Sequence, residues 1–246
     1  MKGYQGSETI FHGIVFEEKT PNLDYLKNNK FISQKEIESL IISAKLLIRD
    51  INDLFNYIEP SNENQLVYSH RLYELLLRIA TEFESNCKGI LRDNGYVKTK
   101  GNLNIIDYFN LNKVCRLHDY KIQFFRWESD RYFKPFNEWK NENYFPLPWY
   151  SSYNNVKHNR FEKFKEANLE NVINALGGLL CIIHAQIGEN VSEIGFNGIP
   201  IMQNHEKEVN TEYFKIKPPS FPEEEQYEFY WDDIKNGENP VQTYSF

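Results

Sequence analysis

Apolar side chains recur at alternating intervals of three and four residues through residues 34–57, QKEIESLIISAKLLIRDINDLFNY. This spacing places them on one face of an α-helix. Ser33 and Glu36 form a capping-box pattern at the start of the segment, and Pro60 follows its end. We therefore predict an amphipathic helix over residues 34–57.

Two further segments have the same periodicity. Residues 62–93 carry one apolar face and are followed by Asn94 and Gly95, a typical helix end. Residues 160–187 carry a third apolar face, with a pair of glycines at 177–178 that favours close approach of another helix. Helices of this length, about 36–48 Å at 1.5 Å per residue, are typical of an antiparallel bundle.

The segment between the second and third helices is rich in aromatic residues. Residues 120–127 have a strand-like pattern, and Tyr, Phe and Trp follow densely up to residue 145, interleaved with Arg126, Arg131 and Lys134. Such interleaving is found in base-stacking platforms. A hydrophobic cap over one end of the bundle is the favoured interpretation, because large aromatic side chains are usually buried.

Both ends of the chain have strand-like patterns. Residues 9–17 alternate between apolar and polar side chains, and residues 213–217 and 227–231 form short strand-like runs. We expect them to join in a small sheet, since isolated strands are unstable. The predicted fold is a mainly α single domain over residues 1–246: an arm with a strand (1–33), a long-helix bundle (34–190) with an aromatic-rich insertion (95–147), and a strand-rich extension (191–246), so that the small β appendage comes from the termini.

Composition limits the class of protein. The 246 residues include 35 acidic and 28 basic side chains, which gives a net charge of −7 and argues against a general nucleic-acid coat. Three cysteines without a CxxC motif exclude a disulfide framework and a zinc ribbon. No secretory signal or membrane-spanning run of sufficient length is found. We therefore expect a soluble cytoplasmic protein with no membrane partner, and a local basic site remains open.

One stretch has the composition of a functional site: residues 149–160, WYSSYNNVKHNR. On a helix Asn154 and His158 are four residues apart and share a face, and Lys157 and Arg160 flank that face. A histidine between cations suits the binding of phosphate or another anion.

This stretch, together with Pro135, Phe136 and Trp139 before it and an apolar helix after it, resembles a motif of bacterial proteins of the HEPN superfamily. The arrangement of helices resembles that of the superfamily over residues 34–190. Individual residues resemble its motif only over 135–176. Active members are helical bundles, often dimeric, and many are metal-independent ribonucleases. The resemblance implies an RNA- or nucleotide-binding protein with a role in phage defence or stress response.

The resemblance also implies roles for the motif residues. His158 would transfer protons, Arg160 or Lys157 would hold phosphate, and Asn154 would orient the imidazole. The nuclease signature of the family is an Arg and a His with four to six residues between them, and no histidine of this chain has an Arg at that distance before it. The nearest pattern is Lys113 with His118. Helix packing could instead bring Arg71 or Arg78 to His158.

Purely structural roles also remain open for these residues. His158 with Asn154 is also compatible with an interfacial hydrogen bond, and Glu74, Arg78 and Glu82 have the spacing of surface ion pairs. Glu84 and Asn86 either belong to that surface or line the bundle interior near His158. His184 is expected to be a satisfied core histidine.

Three functions remain as hypotheses. The leading one is RNA or nucleotide binding or cleavage at Asn154, Lys157, His158 and Arg160, with no cofactor and no metal, since HxxxH and HExxH spacings and phosphate-loop motifs are absent from the sequence. The second is a non-catalytic module that binds another protein. The third is a small-molecule sensor with an aromatic pocket. Dimerisation along a long helix is expected in each case.

Overall fold

The computed structural model describes residues 34–188, 191, 194, 208–221 and 246. Its described part is mainly helical, with a small sheet, as the sequence predicts. The α-helices are α1 (Gln34–Leu54), α2 (His70–Asp93), α3 (Ile105–Tyr108), α4 (Asn110–Cys115), α5 (Pro148–His158), α6 (Arg160–Lys163) and α7 (Leu169–Ile187), and short 3₁₀ helices cover Leu117–Asp119, Asn137–Lys140 and Phe164–Glu166.

Helices α2 and α7 form the centre of the bundle. The predicted end of α2 at Asp93 is confirmed, and Gly95 follows it with φ of 74°. The predicted start at residue 62 is wrong, because the Ser69 hydroxyl accepts the backbone N–H of Leu72 at 3.1 Å and caps the helix there. The preceding chain instead runs beside the start of α7, where Leu169 donates its N–H to the carbonyl of Val67 at 2.9 Å.

The predicted continuous helix over residues 160–187 is divided into three parts. Helix α6 leads into the 3₁₀ turn Phe164–Glu166, and α7 begins after Asn168. The Asn168 side chain accepts the N–H of Asn171 at 3.0 Å, which caps α7 at its start. Arg160 is therefore the first residue of α6 and does not belong to α7.

The sheet contains β1 (Lys121–Phe124), β2 (Val209–Asn210) and β3 (Phe214–Lys217), in the antiparallel order β1-β3-β2. Ile122 pairs with Ile216, and both are fully buried. The predicted strand over 213–217 is therefore confirmed, and its neighbour β1 comes from the insertion rather than from a terminus. The predicted strands at 9–17 and 227–231, and the Ser33 cap, lie outside the described residues.

Most aromatic residues of the insertion are buried, which supports the hydrophobic-cap interpretation, whereas Phe125 and Phe145 are exposed. Phe133, Phe136 and Trp139 are each at most 2% exposed. The insertion lies close to α7 at Gly177, where a Cβ atom would lie 2.8 Å from Cγ2 of Ile122. Gly177 thus accommodates the insertion, and at Gly178 a Cβ atom would lie 3.1 Å from Trp149 of α5, so the expected approach of another helix is found at the second glycine.

Helix α7 is long and apolar enough to cross a membrane by length and composition alone, and 83% of its most apolar window is buried inside the protein. The three cysteines, Cys87, Cys115 and Cys181, are buried free thiols.

Candidate functional site

Helix α5 divides the motif at residues 149–160 into a buried aromatic part and a polar surface part. Pro148 is its first residue, in a position where the missing N–H costs nothing. Lys157 and His158 are exposed in its last turn. The buried residues of α5 are Trp149, Tyr150, Ser152, Tyr153 and Val156.

Asn159 ends α5 and separates His158 from Arg160. Its φ of −138° and ψ of 64° are not helical, and its N–H donates to the carbonyl of Asn155 at 2.8 Å. Its side-chain amide donates to Glu162 at 2.6 Å, which holds the first turn of α6. The prediction that Lys157 and Arg160 flank the Asn154–His158 face of one helix is therefore wrong for Arg160, because the helix is interrupted at Asn159.

Arg160 is turned toward the start of α2. Its Nη2 lies 2.9 Å from Nδ1 of His70, and its guanidinium lies 4.9 Å from the ring centre of Tyr73. Phe164 packs against the same group, with its ring 4.8 Å from that of His70 and 5.7 Å from that of Tyr68. We refer to Tyr68, His70, Tyr73, Arg160 and Phe164 as the Arg160 cluster.

The hydrogen bond in this cluster determines the form of the imidazole. A guanidinium has only donors, so Nδ1 of His70 must accept. The ring that makes this bond is therefore neutral and carries its proton on Nε2. Among the described residues Arg160 has no carboxylate partner, so its charge is held in place by a neutral group and is not cancelled.

Lys157 belongs to a second group, formed by α5 and the middle of α2. Its ammonium donates to the Tyr153 hydroxyl at 2.9 Å, which raises the pKa of Lys157. Glu84 accepts from the Tyr150 hydroxyl at 2.8 Å and from Lys88 at 2.9 Å. Burial raises the pKa of Glu84, but these hydrogen bonds and the nearby positive charge outweigh it, and the pKa falls below its ordinary value.

Burial raises the pKa of the Tyr150 phenol, and its hydrogen bond to Glu84 raises it further. Tyr150 is therefore a neutral donor. Glu84 thus connects α2 to the buried side of the motif helix. Glu84 thus combines features of the two alternatives that the sequence left open: it lies partly inside the bundle against Tyr150, and it forms an i,i+4 pair with Lys88.

His158 and Asn154 share a face of α5, as their spacing predicts. His158 is exposed and Asn154 is half-buried. In the part of the chain that the structure describes, no hydrogen bond joins them, and the imidazole is open to solvent. The described residues therefore do not show the Asn154–His158 hydrogen bond that would have given His158 a purely structural role.

The surface around the α5–α6 junction is positively charged. Residues 157–166 contain four basic and two acidic side chains, in a chain with a net charge of −7. Glu162 accepts from Asn159, and Glu166 accepts from Asn155 at 2.8 Å and pairs with Lys163 at 3.1 Å. Both carboxylates are therefore engaged locally, and the remaining charge is positive.

The arginines that packing was expected to bring to His158 are directed elsewhere. Arg78 pairs with Asp50 on α1, and Arg71 lies 3.5 Å from the same carboxylate and 3.2 Å from Glu74. The predicted pairs of Arg78 with Glu74 and Glu82 are replaced by this contact between helices. His184 is buried, and its ring Nδ1 forms a hydrogen bond of 2.9 Å with the Tyr120 hydroxyl. It is therefore a core histidine with a hydrogen-bond partner, as expected.

His118 also has a local partner: its ring Nδ1 lies 3.0 Å from Oδ1 of Asn112. The pattern formed by Lys113 and His118 therefore lies within the insertion, away from the motif helix.

His70 is the residue of this surface that sequence reasoning missed. It lies 90 positions before Arg160, and no local spacing relates the two. The available signal was the sequence beside it, where Tyr68 and Tyr73 flank a His-Arg pair inside the helix predicted over residues 62–93.

Across the described ranges, no group of three or more His, Cys, Asp or Glu residues is arranged to hold a metal ion. This surface therefore presents cationic side chains, the neutral imidazole of His70, the solvent-exposed imidazole of His158, and aromatic rings. No protein-family model, no curated protein and no solved structure matches the chain.

Proposed function

We propose that the protein binds RNA or a nucleotide on the surface formed by the end of α5 and by α6, and that it cleaves RNA there without a metal ion. The observation that carries the proposal is the hydrogen bond between Arg160 and His70. It fixes a guanidinium on the surface and leaves its charge available to an anion.

Binding follows from the charges at this surface. A guanidinium presents paired N–H groups that match two oxygens of a phosphate. Lys157 and the basic residues after Arg160 add positive charge within the same short stretch of chain. Neutralising phosphates with such side chains is the main source of affinity for nucleic acids, and it makes binding sensitive to salt.

Cleavage requires one proton-transfer group and one group that stabilises charge. In the proposed reaction the RNA 2′-oxygen attacks the neighbouring phosphorus, and His158 takes the proton of the 2′-hydroxyl. As the bond between phosphorus and O5′ breaks, His158 returns that proton to O5′, so the products are a 2′,3′-cyclic phosphate and a 5′-hydroxyl. Arg160 stabilises the negative charge on the phosphate oxygens. His70 positions Arg160 through their hydrogen bond.

The test is incubation of the purified protein with total bacterial RNA in EDTA, beside binding measurements on a labelled single strand. His158→Ala should abolish cleavage and leave the fold intact, because the side chain is exposed. Arg160→Ala should weaken binding and lower the dependence of affinity on salt by about one charge. Arg92→Ala is the matched control, since Arg92 is an exposed arginine at the other end of α2.

The possible outcomes distinguish RNA binding from RNA cleavage and test the position of the site. Binding without cleavage would remove the nuclease activity and retain the binding function. Equal binding by Arg160→Ala and Arg92→Ala would place the ligand elsewhere. Absence of both binding and cleavage would overturn the proposal.

A second candidate function is protein interaction, and the observation that favours it lies on α1. Ile42 and Leu46 are one helical turn apart and are 59% and 47% exposed. Apolar residues at this spacing are typical of a contact between helices. The partner that we propose is a second copy of the chain. Leu46→Glu should then convert a dimer to a monomer in light scattering, and a monomeric wild type would exclude this contact.

A further inference from the structure

Phe161 is fully exposed. Its relative exposure is 100%, the highest among the large hydrophobic residues of the described chain. Burying a Phe side chain is worth roughly 1.5–3 kcal/mol, so a ring that is left wholly in water is available to a partner.

The exposure of Phe161 does not come from a loose segment. The residue before it, Arg160, is hydrogen-bonded to His70 on α2. Three residues after it, Phe164 packs against Tyr68 and His70. Helix α6 is thus attached to the start of α2 on both sides of Phe161, and this attachment holds the ring on the outer surface.

The charge around the ring indicates what kind of partner it takes. Arg160 precedes it, Lys163 and Lys165 follow it, and the two carboxylates of the stretch are engaged with local partners. Lys163 is paired with Glu166, but a purely apolar protein surface would leave the charges of Arg160 and Lys165 uncompensated. A ligand that is both aromatic and anionic satisfies the ring and the cations together.

From this juxtaposition we propose that Phe161 is a stacking platform for an unpaired nucleobase whose neighbouring phosphate lies on Arg160; the inference rests on the proposed RNA-binding function and assigns it a base-binding subsite. Aromatic side chains beside cations bind single strands in this way, since every base has a face that can stack. Consecutive helical residues point about 100° apart. The ligand must therefore place a base and a phosphate in different directions, which a flexible strand can do. The bases of a duplex are already stacked on each other and are not accessible.

The experiment compares Phe161→Ala, Phe161→Trp and Tyr57→Ala in binding a labelled single-stranded oligoadenylate and a fully paired RNA hairpin. Tyr57 is the matched control because it is an aromatic residue that is 87% exposed at the end of α1. Phe161→Ala should bind the single strand about 5- to 150-fold more weakly. Phe161→Trp should retain the affinity, and Tyr57→Ala should behave as the wild type.

Salt dependence distinguishes stacking from charge. Phe161→Ala should lower the affinity and leave the slope of log affinity against log salt unchanged, because no cation is removed, whereas Arg160→Ala should reduce the slope. If the wild type binds the single strand and Phe161→Ala binds it equally well, the stacking subsite is overturned and the RNA-binding function stands. An equal loss for the hairpin, or dissociation of a dimer in place of weaker RNA binding, would also overturn it. A wild type that binds no RNA would overturn both.

Discussion

Arg131 in the insertion and Arg160 on α6 both lie against aromatic rings, but their polar partners differ. The guanidinium of Arg131 lies 4.4 Å from the ring centre of Phe133 and donates to Glu170 at 2.6 Å. Arg160 is hydrogen-bonded to the neutral ring of His70. The charge of the first arginine is cancelled by a carboxylate, and that of the second is not. Contact between a cation and an aromatic ring therefore does not identify a binding site, and the polar partner must also be considered.

The same contrast applies to the aromatic rings. Phe83 lies at 0% exposure between the rings of Tyr108, Phe136, Trp149 and Tyr150, whereas Phe161 is fully exposed. Among the residues that the structure describes, most aromatic side chains belong to the core. The function that we propose depends instead on the few rings beside Arg160, whose charge no carboxylate of the described residues cancels.

The largest effect is expected for Phe83→Ala. Removing a fully buried ring from this aromatic layer should lower the free energy of unfolding by about 3–5 kcal/mol, because it leaves a cavity. Phe161→Ala should change it by less than about 0.5 kcal/mol. Urea denaturation followed by circular dichroism measures both. Similar losses for the two variants would contradict the assignment of one ring to the core and the other to the surface.

Arg131→Met should have an intermediate effect. It would leave Glu170 without its main partner, and one oxygen of this carboxylate is already buried without a hydrogen bond among the described residues. The free energy of unfolding should fall by about 1–3 kcal/mol. Arg160→Met should cost much less, since it leaves behind only a neutral histidine near the surface. Equal costs in urea denaturation would remove the distinction between the two arginines.

Gly177→Ala tests how closely the insertion packs on α7. A Cβ atom would lie 2.8 Å from Ile122 and 3.0 Å from Pro135, both within the insertion. We expect a loss of about 1–2 kcal/mol, after the gain in helix propensity is offset. Gly89→Ala on α2 is the control, since a Cβ atom there meets nothing within 4 Å. It should stabilise the protein by up to about 1 kcal/mol, so the two variants should shift the urea midpoint in opposite directions.

The smallest effect is expected for Glu84→Gln and depends on pH. The pKa of Glu84 is lower in the folded protein than its ordinary value of 4.5. The ionised group therefore stabilises the fold above that value, and this contribution is lost as the pH falls through the folded pKa. Glu84→Gln should lose stability at neutral pH and depend less on pH in the acid range than the wild type. Glu74→Gln, whose side chain is 57% exposed, is the control. Parallel pH profiles for wild type and Glu84→Gln would contradict the connection of Glu84 to Tyr150.

Local signals account for the parts of the structure that could be predicted. The end of α2 before Asn94 and Gly95, the start of α5 at Pro148 and the strand β3 each depend on residues adjacent in sequence. Capping, the fixed φ of proline and period-two alternation act within a few residues, so a sequence shows them directly. The location of the motif on a polar helix surface with exposed cations could be predicted for the same reason.

The interruption at Asn159 and the cap at Asn168 were not evident, although both residues are visible in the sequence. Apolar periodicity continues on either side of them, and Asn side chains in a helical pattern do not always end a helix. Whether they do depends on the partner that each side chain finds, here Glu162 and the backbone of Asn171.

Amino-acid order alone thus determined the mainly helical class, several helix ends and the position of the polar motif, because these follow from interactions within one or two turns. Tertiary structure decided which side chains meet. Arg160 and His70 are 90 positions apart, and Glu84 and Tyr150 are 66 apart. Packing of α5 and α6 against α2 brings these pairs together. Since the charge of Arg160 and the exposure of Phe161 depend on that packing, the candidate site is a property of the folded chain.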